Sequence, residues 1–151
     1  MPLTNGIHHV AIVTADLDRW IAFYVDVFGA EVMGDMTDDG LRHAMVDVGG
    51  ATALHAFEAA DNPWSDSLPP MFDRGHADHV ALHVTSAAVF EDLRRRLADR
   101  GASDGAVTDF GSVRSVSFVD PDGWEGEIAM WQDGATLPFA QRRREPLVAG
   151  A

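Results

Sequence analysis

The chain has 151 residues, with Asp+Glu 24 against Lys+Arg 11, so its formal charge is −13. A balance this acidic excludes nucleic-acid backbones and anionic membranes as partners. The absence of Cys excludes disulfide scaffolds, thiolate nucleophiles and sulfur-based metal sites, and because every basic residue is Arg, lysine Schiff-base chemistry is excluded too.

The length suits one domain, 1–151. With neither a signal peptide nor an 18-residue apolar run, a cytoplasmic protein is expected. The first segment, Ile7 to Val13, is rich in β-branched residues and reads as a strand. Asp16 is placed to cap a helix running to Phe28, whose apolar residues Leu17, Trp20, Ile21, Tyr24, Val27 and Phe28 recur at helical spacing, and Gly29 stops it. Strand-like runs follow at about 31–36, 41–48 and 51–58, separated by Asp38-Asp39-Gly40 and Gly49-Gly50 turns. The first module, 7–58, therefore reads strand, helix, strand, strand, strand.

Residues 59–78 form a connecting loop with Asn62-Pro63 and Pro69-Pro70, yet it carries Trp64, Met71 and Phe72. The pattern then restarts. His79 to Val84 reads as a strand, and Ser86 caps a helix with Val89, Phe90, Leu93 and Leu97 on its apolar face and Arg94, Arg95, Arg96 and Arg100 mostly on the wet one. Gly101 ends that helix, and strands are expected near 106–110, 113–119 and 126–131, the last after the turn Asp120-Pro121-Asp122-Gly123. This is the second module, 79–131. From 132 to 151 periodicity is lost and an irregular tail is expected, with Arg142-Arg143-Arg144 in solvent.

An internal repeat decides how the histidines are read. His9-Val10-Ala11-Ile12 matches His79-Val80-Ala81-Leu82 at an offset of 70 residues, and the helix-ending Gly29-Ala30 matches Gly101-Ala102 at 72. His55 follows His9 by 46 residues and Glu127 follows His79 by 48, so each polar residue lies on the last strand of its module. A pseudo-two-fold pairing of the modules would bring His9, His55, His79 and Glu127 to one cleft. Strand alternation puts His9 with Ala11 and Val13, His79 with Ala81 and His83, His55 with Phe57, and Glu127 with Ala129 and Trp131. Neutral imidazole with carboxylate suits Fe, Mn, Ni, Co or Zn as one divalent ion. His8 falls on the face opposite His9 and reads as structural, His43 and His76 have no supporting pattern, and Glu125 is the weaker ligand candidate because it abuts the turn.

The chain resembles the vicinal oxygen chelate superfamily, which includes glyoxalase I, extradiol dioxygenases and bleomycin-resistance proteins. The resemblance is carried by His9-Val10-Ala11-Ile12, Asp16-Leu17-Asp18, Phe23-Tyr24, Phe28-Gly29, His79-Val80-Ala81-Leu82 and the run from Val119 through Asp120-Pro121-Asp122-Gly123 to Glu127. It implies an α+β fold of two tandem βαβββ modules forming a cupped, mainly antiparallel sheet around a metal-binding cleft. His9, His79 and Glu127 match the family's ligand positions, and His55 stands where glyoxalase I-like members carry a Glu. The resemblance implies a lyase, isomerase or ring-cleaving dioxygenase whose small substrate chelates the metal through neighbouring oxygens. Glu127 and His55 would be catalytic, with His55 a fourth ligand or a general base. Phe57, Trp131, His83 and Trp64 would line the substrate pocket, and a homodimer is expected. The competing expectation is a bleomycin-resistance-like protein that sequesters a small molecule without catalysis.

Overall fold

The computed structural model describes residues 3, 6–63, 69–75, 77–132 and 143–147. The chain divides into two compact units, Met1–Ser67 and Leu68–Ala151. In the first, β1 (His9–Thr14), α1 (Leu17–Phe28), β2 (Glu31–Asp38), β3 (Leu41–Asp47) and β4 (Ala53–Glu58) follow one another. The sheet order is β1-β4-β3-β2, with β1 parallel to β4 and the remaining pairs antiparallel.

That order follows from the connections. Tight turns join β2 to β3 and β3 to β4 as hairpins, whereas α1 carries the chain away from β1, leaving its edge for the returning β4. Asp16 caps α1 by accepting from the Arg19 backbone N–H at 2.9 Å, and Gly29 ends it at φ 66°, a left-handed conformation that an L side chain resists. Leu17, Trp20, Tyr24 and Val27 are buried, and so are Ala44, Val46, Leu54 and Ala56 on the strands beneath. These are the even-numbered positions of β3 and β4. The odd-numbered positions therefore lie on the opposite face of the sheet. Arg42, on β3, joins three elements: its guanidinium donates to Asp18 of α1 at 2.6 Å and to Asp35 of β2 at 2.8 and 3.1 Å.

The second unit repeats the plan with β5 (Val80–His83), α2 (Ala87–Asp99), β6 (Val107–Asp109), β7 (Val113–Val119) and β8 (Glu125–Trp131). With a further short strand, β9 (Arg143–Glu145), its order is β5-β8-β7-β6-β9, again with the first strand parallel to the returning one. Each unit is thus one βαβββ module of an α+β protein in which antiparallel pairing prevails. Among the described residues no helix is long and apolar enough to cross a membrane.

Three expectations need correction. The tail is not irregular throughout, because Arg143–Glu145 form β9 on the free edge of β6. Arg94 is not on a wet face. It is buried, with Nε donating to the Gly105 carbonyl at 2.5 Å and a terminal nitrogen to the Glu145 carbonyl at 3.2 Å. Helical periodicity places a residue on a helix but cannot foresee a strand arriving 50 positions later to cover it. Ser86 stands at the N-cap of α2, but its side chain makes no capping hydrogen bond.

Gly126 is required for a different reason from Gly29. A Cβ there would lie 2.3–2.9 Å from three ring atoms of Phe118, its cross-strand partner on β7, which is itself 1% exposed. Gly126→Ala is expected to destabilise the protein by about 1–3 kcal/mol through overpacking, read as a lower urea midpoint. A second expectation concerns Arg42, whose hydrogen bonds hold the Asp35 carboxyl below the usual carboxylate range. An acid with a depressed folded pKa stabilises the fold above its unfolded value, and that stabilisation is lost as pH falls through the folded one. Wild type should therefore exceed Arg42→Ala in urea midpoint at pH 7, and the gap should shrink below about pH 4.

Candidate functional site

The first module presents a histidine of its first strand, and the second a histidine one residue ahead of its first strand, beside a polar residue of the last; the strand expected from His79 begins at Val80. In the first, Ala11 pairs with His55, so His9 and His55 are diagonal neighbours on one face, with ring centroids 5.9 Å apart. In the second, Ala81 pairs with Glu127, and His79, just ahead of β5, brings its Nε2 to 3.9 Å from Glu127 Oε2. The sequence offsets of 46 and 48 thus resolve to one ladder position. Both parallel ladders rest on buried floors, Leu54 and Ala56 in one module and Ile128 in the other.

His79 is held from behind. Its Nδ1 lies 2.9 Å from Asp78 Oδ1, while Nε2 lies 3.9 Å from Glu127 Oε2. An ionised carboxylate only accepts, so Asp78 accepts a hydrogen bond from Nδ1–H; whenever the ring is neutral, Nε2 then carries the lone pair on the side of Glu127. Asp78 is itself fixed by the Phe72 backbone N–H at 2.7 Å, and hydrogen bonds from His79 and Phe72 hold its pKa below the usual range. Burial raises the Glu127 carboxyl, the His79 charge opposes that rise, and Glu125 adds to it.

The approach of β8 is set by the preceding turn. Asp120 Oδ1 accepts from the backbone N–H groups of Asp122 and Trp124, each at 2.9 Å, and the Gly123 N–H closes the turn on the Asp120 carbonyl at 3.0 Å. Glu125 follows directly and is buried, with Arg74 2.6 Å from its carboxylate. That ion pair engages Glu125 and leaves Glu127 as the carboxylate of β8 that faces a histidine. Arg74 also donates to the Pro69 carbonyl at 2.7 Å, so the connecting loop is tied to β8 through this side chain.

In the first module the polar cluster is wider than the repeat indicates. His43 Nδ1 lies 2.9 Å from His55 Nε2, and His43 Nε2 lies 3.0 Å from Asp38 Oδ2. Phe57 stacks on His43 with centroids 5.4 Å apart and lies 4.2 Å from the His55 ring centroid. Burial lowers the His55 pKa, and charge on His43 and His9 lowers it further. Sequence reasoning missed His43, although a signal was present. A hairpin turning at Gly49-Gly50 opposes His43 to Phe57 and Met45 to His55, which sets His43 and His55 on one face as diagonal neighbours. His8 also differs from expectation. β1 begins at His9, so the pleat does not govern His8, and its Nδ1 reaches 3.0 Å from that of His9.

Of the pocket residues expected, Phe57 is half-buried against the two imidazoles, Trp131 is 56% exposed at the end of β8, and His83 is exposed at the end of β5. Trp64 lies outside the described residues. Among the described residues there is no group of three or more His, Asp or Glu side chains placed to hold a metal ion.

Residues 6–128 match the model of the Glyoxalase/Bleomycin resistance protein/Dioxygenase superfamily. The chain belongs to that superfamily. It is 30% identical to a 2-epi-5-epi-valiolone epimerase of Actinomyces sp. over 94% of this chain and 87% of that protein. It is 29% identical to a lactoylglutathione lyase of Salmonella typhimurium, over 83% and 92% of the respective chains. A glyoxylase/bleomycin resistance protein/dioxygenase domain from Frankia sp. shares the fold with a TM-score of 0.72, at 21% identity over 87% of this chain and 96% of that one.

Proposed function

We propose that this superfamily member is a divalent-metal-dependent isomerase or lyase that relocates a proton on a small substrate bearing neighbouring oxygens. The observation that carries the reading is in the second module, where Nε2 of His79 and a carboxylate oxygen of Glu127 lie 3.9 Å apart, two acceptors whenever the ring is neutral with its proton on Nδ1. Two acceptors turned toward each other are mutually unfavourable by themselves and become favourable with a cation between them. Metal–ligand bonds of about 2.0–2.2 Å to nitrogen and oxygen are long enough to bridge that gap. Asp78 behind His79 supplies the carboxylate–histidine arrangement that fixes a ligand's tautomer and raises its basicity. The donor set therefore fits a divalent ion.

In this reading His9, His79 and Glu127 hold the ion, whether the two modules cooperate within one chain or across a homodimer. Bound there, the metal polarises the substrate oxygens and lowers the cost of negative charge on them. His55 differs from the other candidates because Nε2 is already engaged by His43, which suits it to proton transfer. Its depressed pKa keeps the ring neutral and able to accept a proton near neutral pH. Epimerisation needs one group to remove a proton and another to return it, and His55 and Glu127, at equivalent ladder positions, are the repeat-related pair for those tasks. Phe57 packs beside His55 as apolar wall, and Trp131 and His83 supply further surface for the substrate. The epimerase and lyase among the relatives support isomerase or lyase chemistry over ring cleavage.

The test is metal analysis and calorimetric titration of untagged protein with Mn(II), Ni(II), Co(II) and Zn(II). About one ion per chain is expected, with affinity at least tenfold weaker in His79→Ala and in Glu127→Gln. Protein that takes up none of these ions at micromolar concentration, or variants that bind as tightly as wild type, would overturn the reading.

A further inference from the structure

The histidine on β4 belongs to a chain of side chains that the repeat does not contain. Asp38 ends β2, His43 lies on β3 and His55 on β4, and the two contacts that join them are 3.0 and 2.9 Å long. The first contact gives the series a direction. A carboxylate has no proton to donate, so the hydrogen lies on His43 Nε2. A neutral His43 is then bare at Nδ1 and can only accept there. With His43 neutral, the proton in the second contact comes from His55 Nε2, which leaves Nδ1 of His55 with the lone pair.

We propose that His43, anchored by Asp38, is a positioning residue that fixes the His55 ring with its proton on Nε2, so that His55 meets substrate or ion through Nδ1. Packing supports the same orientation. Phe57 covers both rings, stacked at 22° on His43 and tilted at 39° to His55, and a ring flip of either imidazole would break a hydrogen bond without relieving that contact. The His43 side chain is 13% exposed and Asp38 76% exposed, so the chain runs from solvent inward to His55. Here a neighbouring imidazole does for His55 what the Asp78 carboxylate does for His79. Orienting partners of this kind change ligand affinity or activity by about 10–100-fold when removed. The inference rests on the reading of His55 as a site residue, but its geometry is testable without any metal or substrate.

The experiment is nitrogen-15 NMR of the imidazole groups in the full chain, with and without Zn(II). Expected in wild type are a protonated His55 Nε2, a bare Nδ1 and a scalar coupling across the N–H···N bond to His43 Nδ1. In His43→Ala the coupling is lost and the His55 ring proton should exchange with water at least tenfold faster. In His43→Asn the side-chain oxygen stands near the former Nδ1 and should restore most of the protection, which a merely structural role would not predict. Adding Zn(II) should leave the Nε2 proton in place. A His55 protonated on Nδ1, no coupling in wild type, unchanged exchange in His43→Ala, or loss of the Nε2 proton to zinc would each overturn the inference. If the coupling is seen but the protein binds no divalent ion, the positioning role stands and the proposed function falls; the converse result separates them the other way.

Discussion

The parallel pairing of each module's first and last strands is the constraint on which the rest depends. A parallel ladder needs a crossover, and α1 and α2 supply it on one face of each sheet. The helix buries the even-numbered positions of the returning strand, so residues of the other parity remain available for chemistry. Register then does the fine placement: pairing Ala11 with His55 sets His9 diagonal to His55, and pairing Ala81 with Glu127 leaves Glu127 within reach of His79, the residue that leads into β5. A slip of one residue in either ladder would turn the donor into the helix-packed floor.

Much of this was legible in the amino-acid sequence because it is local. The caps at Asp16 and Gly29, the Asp120–Gly123 turn and the alternation of His9 with Ala11 depend on near neighbours, and the structure contains each of them. The repeat carried that local information across the chain and matched His55 with Glu127 despite their unequal spacing. What escaped were encounters between distant segments. Arg94 is covered by β9, Glu125 is claimed by Arg74 from the connecting loop, and His43 meets His55 only once the hairpin register is known. Periodicity counts along one element, whereas each of these contacts depends on which second element lies beside it.

The two modules reach the same arrangement by unlike means. At matching repeat positions Asp78 and His8 each bring a side chain to Nδ1 of the histidine that follows. One partner is an acid held in its ionised form by the loop, and the other is a second imidazole. A carboxylate behind an imidazole pushes electron density toward the far nitrogen, so His79 is the stronger donor of the pair. Backbone position is repeated while donor strength is not, which gives the modules distinct chemical characters on one architecture.

The close fit of Gly126 beneath Phe118 also limits how the protein can change over evolutionary time. β8 carries Glu127 one residue beyond a position where a methyl group would force the Phe118 ring to shift. Substitution there costs stability, and Ile128, which is fully buried, accepts only apolar side chains of similar volume without such a cost. Ala129 and Trp131 share the face of Glu127 and are partly or largely exposed. Side-chain change on that face of β8 is therefore least constrained at those two positions, where exchange leaves the register of the strand that carries Glu127 intact.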